Sequence, residues 1–131
     1  MVLDSHTLLW WLEQSDELSP TAVRILSEAP NGDAPFYVAA VSFWELYRKE
    51  LRGTLRPRIS VRRWPDLLSR IDWLHLVDDS PGIWLAMTEL DWAHQDPADR
   101  LIATVAMRRG VPALTRDRRF HAPDSPVTAV W

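Results

Sequence analysis

Short apolar runs alternate with longer amphipathic segments along almost the whole of this 131-residue chain. The runs predicted to form strands are Val2–Leu3, Phe36–Ala40, Trp73–Val77, Val111–Thr115 and Val127–Trp131. The segments predicted to form helices are Thr7–Glu13, Pro20–Glu28, Ser42–Arg52, Val61–Arg70, Pro81–Leu90 and Pro97–Arg109. Strands separated by helices favour a mainly parallel central sheet with helices on both faces, which is a three-layer α/β/α sandwich. The length fits one domain, residues 1–131.

Local signals predict where several helices begin. Ser19-Pro20 places a capping Ser before a Pro at the first helical position, and Asp96-Pro97 repeats this pattern with Asp as the cap. Ser42 and Glu45 have the spacing of a capping box, which alone would account for Glu45.

Tryptophan is abundant, with eight residues in this short chain. The spacing of Trp44 and Trp84 favours burial in the core. Trp10 and Trp11 are adjacent, so both cannot lie at the centre of one core-facing stripe, and the surplus apolar surface suits a partner or a second copy of the chain.

Composition excludes several classes of protein. The absence of cysteine excludes disulfides, thiolate metal sites and a cysteine nucleophile, and it fits a cytoplasmic protein. The longest apolar run is about five residues, far below the roughly 20 that cross a bilayer. Asp4 follows Met1 closely, and the basic segment of a secretion signal is missing there, so we expect neither a membrane span nor a signal peptide.

Charge is distributed unevenly along the chain. The segment Arg48–Arg63 contains seven basic residues and one acid, a local net charge of +6. Because the formal net charge of the whole chain is −3, the remaining residues carry −9. A basic stretch of this kind is often only a solvated face, but it also suits contacts with a polyanion. The candidates for such contacts are Arg48, Lys49, Arg52 and Arg116.

Several carboxylates are predicted at one edge of the sheet. Asp4 and Asp117 directly follow predicted strands, and Glu45 lies at the head of a helix that follows a strand, so all three belong at the carboxyl ends of the strands, where ligands of such folds gather. Asp99 begins a helix that precedes a strand, and topology leaves its end of the sheet open.

Four segments resemble, in order, the motifs of the PIN-domain family, and most closely those of the VapC-type toxins of bacterial toxin–antitoxin pairs. The segments are Asp4–Trp11, Ser42–Leu46, Asp96–Ala103 and Leu114–Asp117. The resemblance implies the same α/β/α fold and an endoribonuclease that cleaves RNA with a metal-activated water. It further implies a cognate VapB-type antitoxin and a homodimer.

The resemblance also implies roles for individual residues. Asp4, Glu45, Asp99 and Asp117 match the four acids that hold the divalent ion and carry catalysis. Such an all-oxygen set of ligands selects Mg²⁺ or Mn²⁺ over Zn²⁺. Asp96 is expected to cap its helix, with a contact near the metal as the lesser alternative, and Thr115 matches a hydroxyl that orients an acid or a metal-bound water.

Two alternatives remain at this point. In the first, the chain is a non-catalytic RNA- or protein-binding α/β module whose acids only cap helices. In the second, it is a housekeeping PIN nuclease outside any toxin–antitoxin pair.

Overall fold

The computed structural model describes residues 1–131 and contains one parallel sheet of five strands. The strands are β1 (Val2–Leu3), β2 (Phe36–Ala39), β3 (Leu74–Val77), β4 (Ala113–Leu114) and β5 (Ala129–Val130). Their order across the sheet is β3-β2-β1-β4-β5, and every neighbouring pair is parallel. The first strand of the chain therefore lies at the centre of the sheet.

Six α-helices cover the two faces of this sheet. They are α1 (Ser5–Glu13), α2 (Pro20–Glu28), α3 (Ala40–Leu51), α4 (Trp64–Leu68), α5 (Pro81–Thr88) and α6 (Pro97–Arg109). One apolar core forms between the sheet and α5 and α6, and a second forms between the sheet and α1, α2, α4 and the inner face of α3. The predicted three-layer α/β/α sandwich is confirmed. None of the helices combines the length and the hydropathy needed to cross a bilayer.

The central strand β1 shows how the two cores share the sheet. Val2 and Leu3 are both completely buried. Their side chains point to opposite faces because successive residues of a strand alternate. Val2 accordingly joins the core beneath α6, and Leu3 joins the core beneath α1. A parallel strand covered on both faces needs such a continuous apolar sequence.

The predicted helix caps at Ser19 and Asp96 are confirmed. The Ser19 hydroxyl accepts a hydrogen bond of 3.0 Å from the backbone N–H of Ala22. The Asp96 carboxylate accepts hydrogen bonds from the N–H groups of Ala98, at 2.9 Å, and Asp99, at 3.4 Å. These contacts satisfy N–H groups that have no partner inside the first helical turn.

The capping box predicted at Ser42 is wrong. Strand β2 passes into α3 without a loop, so Ala39 is the cap residue and Ser42 already lies inside the helix. The Ser42 side chain is buried, and its hydroxyl has no hydrogen-bond partner. Glu45 is therefore not explained by helix capping.

Two further expectations are corrected by the structure. The helix predicted over Val61–Arg70 divides into a 3₁₀ turn, Val61–Arg63, and the short α4, because Pro65 has no N–H to donate to an α-helical bond there. Trp44 and Trp84 are 53% and 44% exposed rather than buried in the core.

Candidate active site

The carboxyl ends of β1 and β4 bring two distant parts of the chain together. Asp4 follows β1, and Thr115 follows β4. The Thr115 hydroxyl donates a hydrogen bond of 2.8 Å to Asp4 Oδ2 and accepts one of 3.0 Å from the backbone N–H of Asp117. Thr115 thus orients the Asp4 carboxylate and links it to the segment that contains Asp117.

Asp4 is the most buried acid of the chain, with 5% of its surface exposed. It is the cap residue of α1, but its side chain makes no capping hydrogen bond. Burial raises the pKa of Asp4, and the nearby Glu45 carboxylate adds to this rise, whereas the Thr115 hydrogen bond and His6 oppose it. A carboxylate in this position needs a cation or a proton to offset its cost of burial.

Glu45 faces the same edge from the first half of α3. Its Oε1 forms an ion pair of 2.8 Å with Lys49 Nζ, which lies one helical turn further along α3. Lys49 Nζ also lies 3.2 Å from Nε2 of the exposed His6, the second residue after Asp4. Lys49, the only lysine of the chain, therefore bridges α3 and α1 beside the acids.

Asp99 joins this group, which settles the question that topology left open. The carboxylates of Asp4, Asp96 and Asp117 lie close enough to Asp99 to raise its pKa, although burial contributes more. Together these effects raise the pKa of Asp99 to about 6, despite an opposing hydrogen bond from His94. The first turn of α6 therefore lies at the same edge of the sheet as Asp4.

His94 is a part of the site that the sequence interpretation missed. Its Nε2 lies 2.5 Å from Asp99 Oδ2, and its side chain is only 12% exposed. Arg119 approaches both groups, at 3.3 Å from His94 Nε2 and 3.9 Å from Asp99 Oδ2. The one available signal was the position of His94 in the loop just before the Asp96 cap.

A buried arginine holds the loop that carries His94. The Arg100 guanidinium is 7% exposed and donates hydrogen bonds of 2.8–3.0 Å to four backbone carbonyl groups. These carbonyls belong to Met87, Leu90, Trp92 and His94. Edge-to-face packing of the His94 ring on Trp92, with centroids 4.9 Å apart, further fixes the ring.

The remaining predicted site residues make contacts of their own, in a turn, over tryptophan rings or at the surface. Asp117 Oδ1 accepts a hydrogen bond of 2.9 Å from the N–H of Arg119, which is a common turn interaction. Arg116 lies over the ring of Trp10, at 4.3 Å from its centroid, and pairs with Glu17 at 2.5 Å. Arg48 lies over Trp44, and Arg52 is exposed at the end of α3.

The residues present suit a hard divalent cation. The acids supply only carboxylate oxygens. Burial, and to a smaller extent the repulsion between neighbouring carboxylates, raises the pKa values of Asp4 and Asp99. In the described side-chain conformations, no three acidic or histidine side chains converge at metal-binding distance. Glu45 and Asp99 are instead engaged by Lys49 and His94.

We expect the raised pKa of Asp99 to make the metal-free protein less stable as the pH rises. The folded protein holds a proton on Asp99 up to about pH 6, whereas the unfolded chain releases it near the ordinary value of 3.8. The folded state therefore binds more protons between these values, and stability falls as the pH increases from about 4 to about 7.

Melting temperatures of wild-type protein and Asp99→Asn in EDTA test this expectation. The variant should match wild type near pH 4 and exceed it by roughly 4 °C at pH 7.5, which corresponds to about 1 kcal/mol after allowance for solvent screening. Asp124→Asn, at an exposed position, is the control and should leave the profile unchanged. A difference between Asp99→Asn and wild type that does not vary with pH would contradict the assignment.

Comparison with known proteins identifies relatives of this chain. The PIN domain profile matches residues 1–125. A curated relative, Ribonuclease VapC22 from Mycobacterium tuberculosis, is 31% identical over 134 residues, an alignment that covers 100% of this chain and 98% of the relative.

Two solved structures share the fold at low sequence identity. VapBC2 from Rickettsia felis, bound to a DNA fragment from its promoter, superposes with a TM-score of 0.65 at 13% identity, covering 98% of this chain and 96% of that one. A toxin–antitoxin complex from Klebsiella pneumoniae superposes with a TM-score of 0.62 at 14% identity, covering 97% and 98%. With a family profile matched over nearly its whole length and a full-length relative above 30% identity, the chain belongs to the PIN domain family.

Proposed function

We propose that this protein is a divalent-metal-dependent endoribonuclease and the toxin of a toxin–antitoxin pair. The observation that carries the proposal is the buried Asp4 carboxylate, which no helix cap requires and which has Glu45 and Asp99 as acidic neighbours. The name of the curated relative, Ribonuclease VapC22, supports RNA cleavage as the reaction.

Four carboxylates are proposed as the metal-binding and catalytic set: Asp4, Glu45, Asp99 and Asp117. They would hold Mg²⁺ or Mn²⁺, whose chemistry in such a site is to activate a water and to offset negative charge that develops on the phosphate. Binding requires Glu45 and Asp99 to turn away from Lys49 and His94, whose side-chain nitrogens now contact the carboxylate oxygens. Asp96 stays in its capping role, and any contact of Asp96 near the metal remains a proposal.

Basic side chains around the acids are proposed to position the RNA. Lys49 and Arg119 are already within 4 Å of site carboxylates, so a phosphate entering the site would meet both of them. Arg48, Arg52 and Arg116 would extend this positive surface. Charge of this kind offsets the repulsion between an acidic site and a polyanion.

A binding module without catalysis is the competing function. Under that interpretation each acid should have a structural role, and Asp96 and Asp117 do have one in a cap and a turn. Asp4 and Glu45 have no such cap or turn role, although Asp4 accepts a hydrogen bond from Thr115 and Glu45 pairs with Lys49. The lack of a cap or turn role for these two acids favours catalysis.

Partners are proposed from the structural relatives. The similar chain from Klebsiella pneumoniae comes from a toxin–antitoxin complex, and that from Rickettsia felis comes from VapBC2. We therefore propose a cognate VapB-type antitoxin for this protein. A homodimer is proposed as well, and the exposed Trp44, Trp84 and Leu85 offer apolar surface for contacts between copies.

Chelation provides the direct test of the proposed reaction. Purified protein should cleave a fluorescent single-stranded RNA in the presence of Mg²⁺ or Mn²⁺, and EDTA should reduce the rate at least about 100-fold, since the ion supplies several kcal/mol of transition-state stabilisation. Addition of excess Mn²⁺ should restore the rate. Full activity in EDTA would contradict metal dependence, and absence of cleavage by soluble, metal-saturated protein would favour the binding module.

A further inference from the structure

An aromatic cluster lies on the surface beside the acids and has no part in the proposed metal site. It consists of His6, Trp10 and Trp131, with the guanidinium of Arg116 over Trp10. The ring centroids of His6 and Trp10 are 5.6 Å apart, those of Trp10 and Trp131 are 5.8 Å apart, and Arg116 lies 4.3 Å from the Trp10 centroid. His6 and Arg116 are exposed, and both tryptophans are half-buried.

The aromatic cluster is attached to the site on two sides. His6 is the second residue after Asp4, and its Nε2 lies 3.2 Å from Lys49, which pairs with Glu45. Arg116 directly follows Thr115, the residue that donates to Asp4. The N–H of Thr115 also bonds to the carbonyl of Val130, at 3.1 Å, and this contact brings Trp131 to the same edge of the sheet.

The residues of the aromatic cluster come from separate parts of the chain and meet only in the folded protein. Trp10 is on α1, whereas Arg116 follows β4, and the ion pair with Glu17 fixes the guanidinium over the ring. By contrast, Trp64 and Trp92 are 3% and 4% exposed and serve the cores. The half-buried indole and the exposed guanidinium over it are thus held together beside the acids.

The chemistry of the aromatic cluster matches one kind of ligand. Unpaired nucleobases stack on tryptophan, histidine and arginine planes, whereas the phosphates of the same strand need cations nearby. Lys49 and Arg116 supply such cations within the same patch. Stacking does not depend on base identity, so the surface would accept any unpaired base.

We propose that His6, Trp10 and Arg116 form a base-binding subsite that holds one unpaired nucleobase of the RNA adjacent to the cleavage site. This inference rests on the proposed ribonuclease function. It specifies single-stranded RNA as the bound form, because a base inside a duplex cannot reach a flat side-chain surface.

Binding of a labelled single-stranded hexaribonucleotide in EDTA, measured by fluorescence anisotropy, tests the subsite without cleavage. Hexamers with one abasic nucleotide at each position in turn are compared with the intact hexamer. In wild type, one abasic position should weaken binding about tenfold, the loss typical of one stacked base. Trp10→Leu should bind the intact hexamer about tenfold more weakly and show no further loss at that abasic position.

Two variants serve as controls, and a third replaces Trp10→Leu if that protein does not fold. Trp10→Phe retains a ring and should recover most of the affinity, whereas Val23→Ala removes exposed apolar surface from α2 and should bind like wild type. If Trp10→Leu fails to fold, as judged by its melting temperature, His6→Ala replaces it, because His6 is exposed and its loss leaves the Trp10–Trp131 contact in place. His6→Ala should then weaken binding and abolish part of the abasic effect.

Equal affinity of Trp10→Leu and wild type, or equal abasic losses in the two proteins, would overturn the subsite. If wild type also cleaves RNA with Mg²⁺, the proposed function survives that result. If wild type neither binds the hexamer nor cleaves RNA, the proposed function itself fails, and the inference that rests on it is overturned as well.

Discussion

We expect Asp4→Asn to abolish the proposed Mg²⁺-dependent RNA cleavage and to leave the fold intact. Asparagine has nearly the same shape as aspartate, and its side-chain oxygen still accepts the 2.8 Å hydrogen bond of Thr115. The substitution, however, removes the negative charge of the most buried of the four proposed metal ligands. Since a catalytic ion contributes several kcal/mol, we expect the initial rate to fall at least about 1,000-fold.

The same substitution should not destabilise the metal-free protein. Asp4 is 5% exposed and its pKa is raised by burial, so the charged form costs free energy in the folded state. A melting temperature in EDTA at pH 7.5 equal to or above that of wild type is therefore expected. Calorimetry should at the same time show loss of Mn²⁺ binding.

Asp16→Asn is the matched control for Asp4→Asn, since Asp16 is an exposed acid between α1 and α2. It should cleave RNA at the wild-type rate. An Asp4→Asn rate within a factor of about three of wild type would remove Asp4 from the catalytic set, since the loss of a metal ligand costs far more.

Growth after expression separates a toxin from a housekeeping nuclease. Wild type should arrest growth, and Asp4→Asn should not. Unimpaired growth with soluble, catalytically active wild type would favour the housekeeping nuclease.

Arg100→Met should produce the largest loss of stability of any single substitution considered. Methionine fills similar space but leaves the carbonyl groups of Met87, Leu90, Trp92 and His94 without their donors. When buried carbonyl groups lose a charged donor, the loss of stability exceeds the contribution of an average hydrogen bond. We expect the free energy of unfolding, measured in urea, to fall by roughly 3–5 kcal/mol.

Arg108→Met provides the comparison on the same helix. Arg108 is exposed and donates one hydrogen bond, of 3.0 Å, to the carbonyl of Gly82. Its replacement should cost less than about 1 kcal/mol. Similar losses for Arg100→Met and Arg108→Met would mean that the four carbonyl contacts contribute little to stability.

Sequence patterns predicted the fold well because the relevant signals are local. Alternation of apolar runs and amphipathic segments is enough to indicate the sheet, and Ser19 and Asp96 carry their capping role in the identity of the next residue. Ser42 misled the prediction because β2 enters α3 at Ala40 without a loop, and a capping pattern does not show where the preceding strand ends. Trp44 and Trp84 misled it because helical spacing identifies a face but not what covers that face.

The site was predictable to a different degree for each residue. Asp4 and Asp117 follow strands, so their position at the carboxyl edge could be predicted from topology. Asp99 required the structure, since its helix runs towards a strand rather than away from one. The contact between His94 and Asp99 depends on a loop held by Arg100, and neither periodicity nor spacing encodes such a loop.

The central position of β1 has a consequence for how the protein is made. A chain synthesised from its N-terminus produces β1 first, yet one neighbour of β1 is β4, at Ala113–Leu114. Until that segment leaves the ribosome, β1 has an unpaired edge, and Asp4 lacks the Thr115 hydroxyl that orients it. Nascent chains therefore cannot complete the carboxylate site until the segment around Thr115 has been made and has left the ribosome.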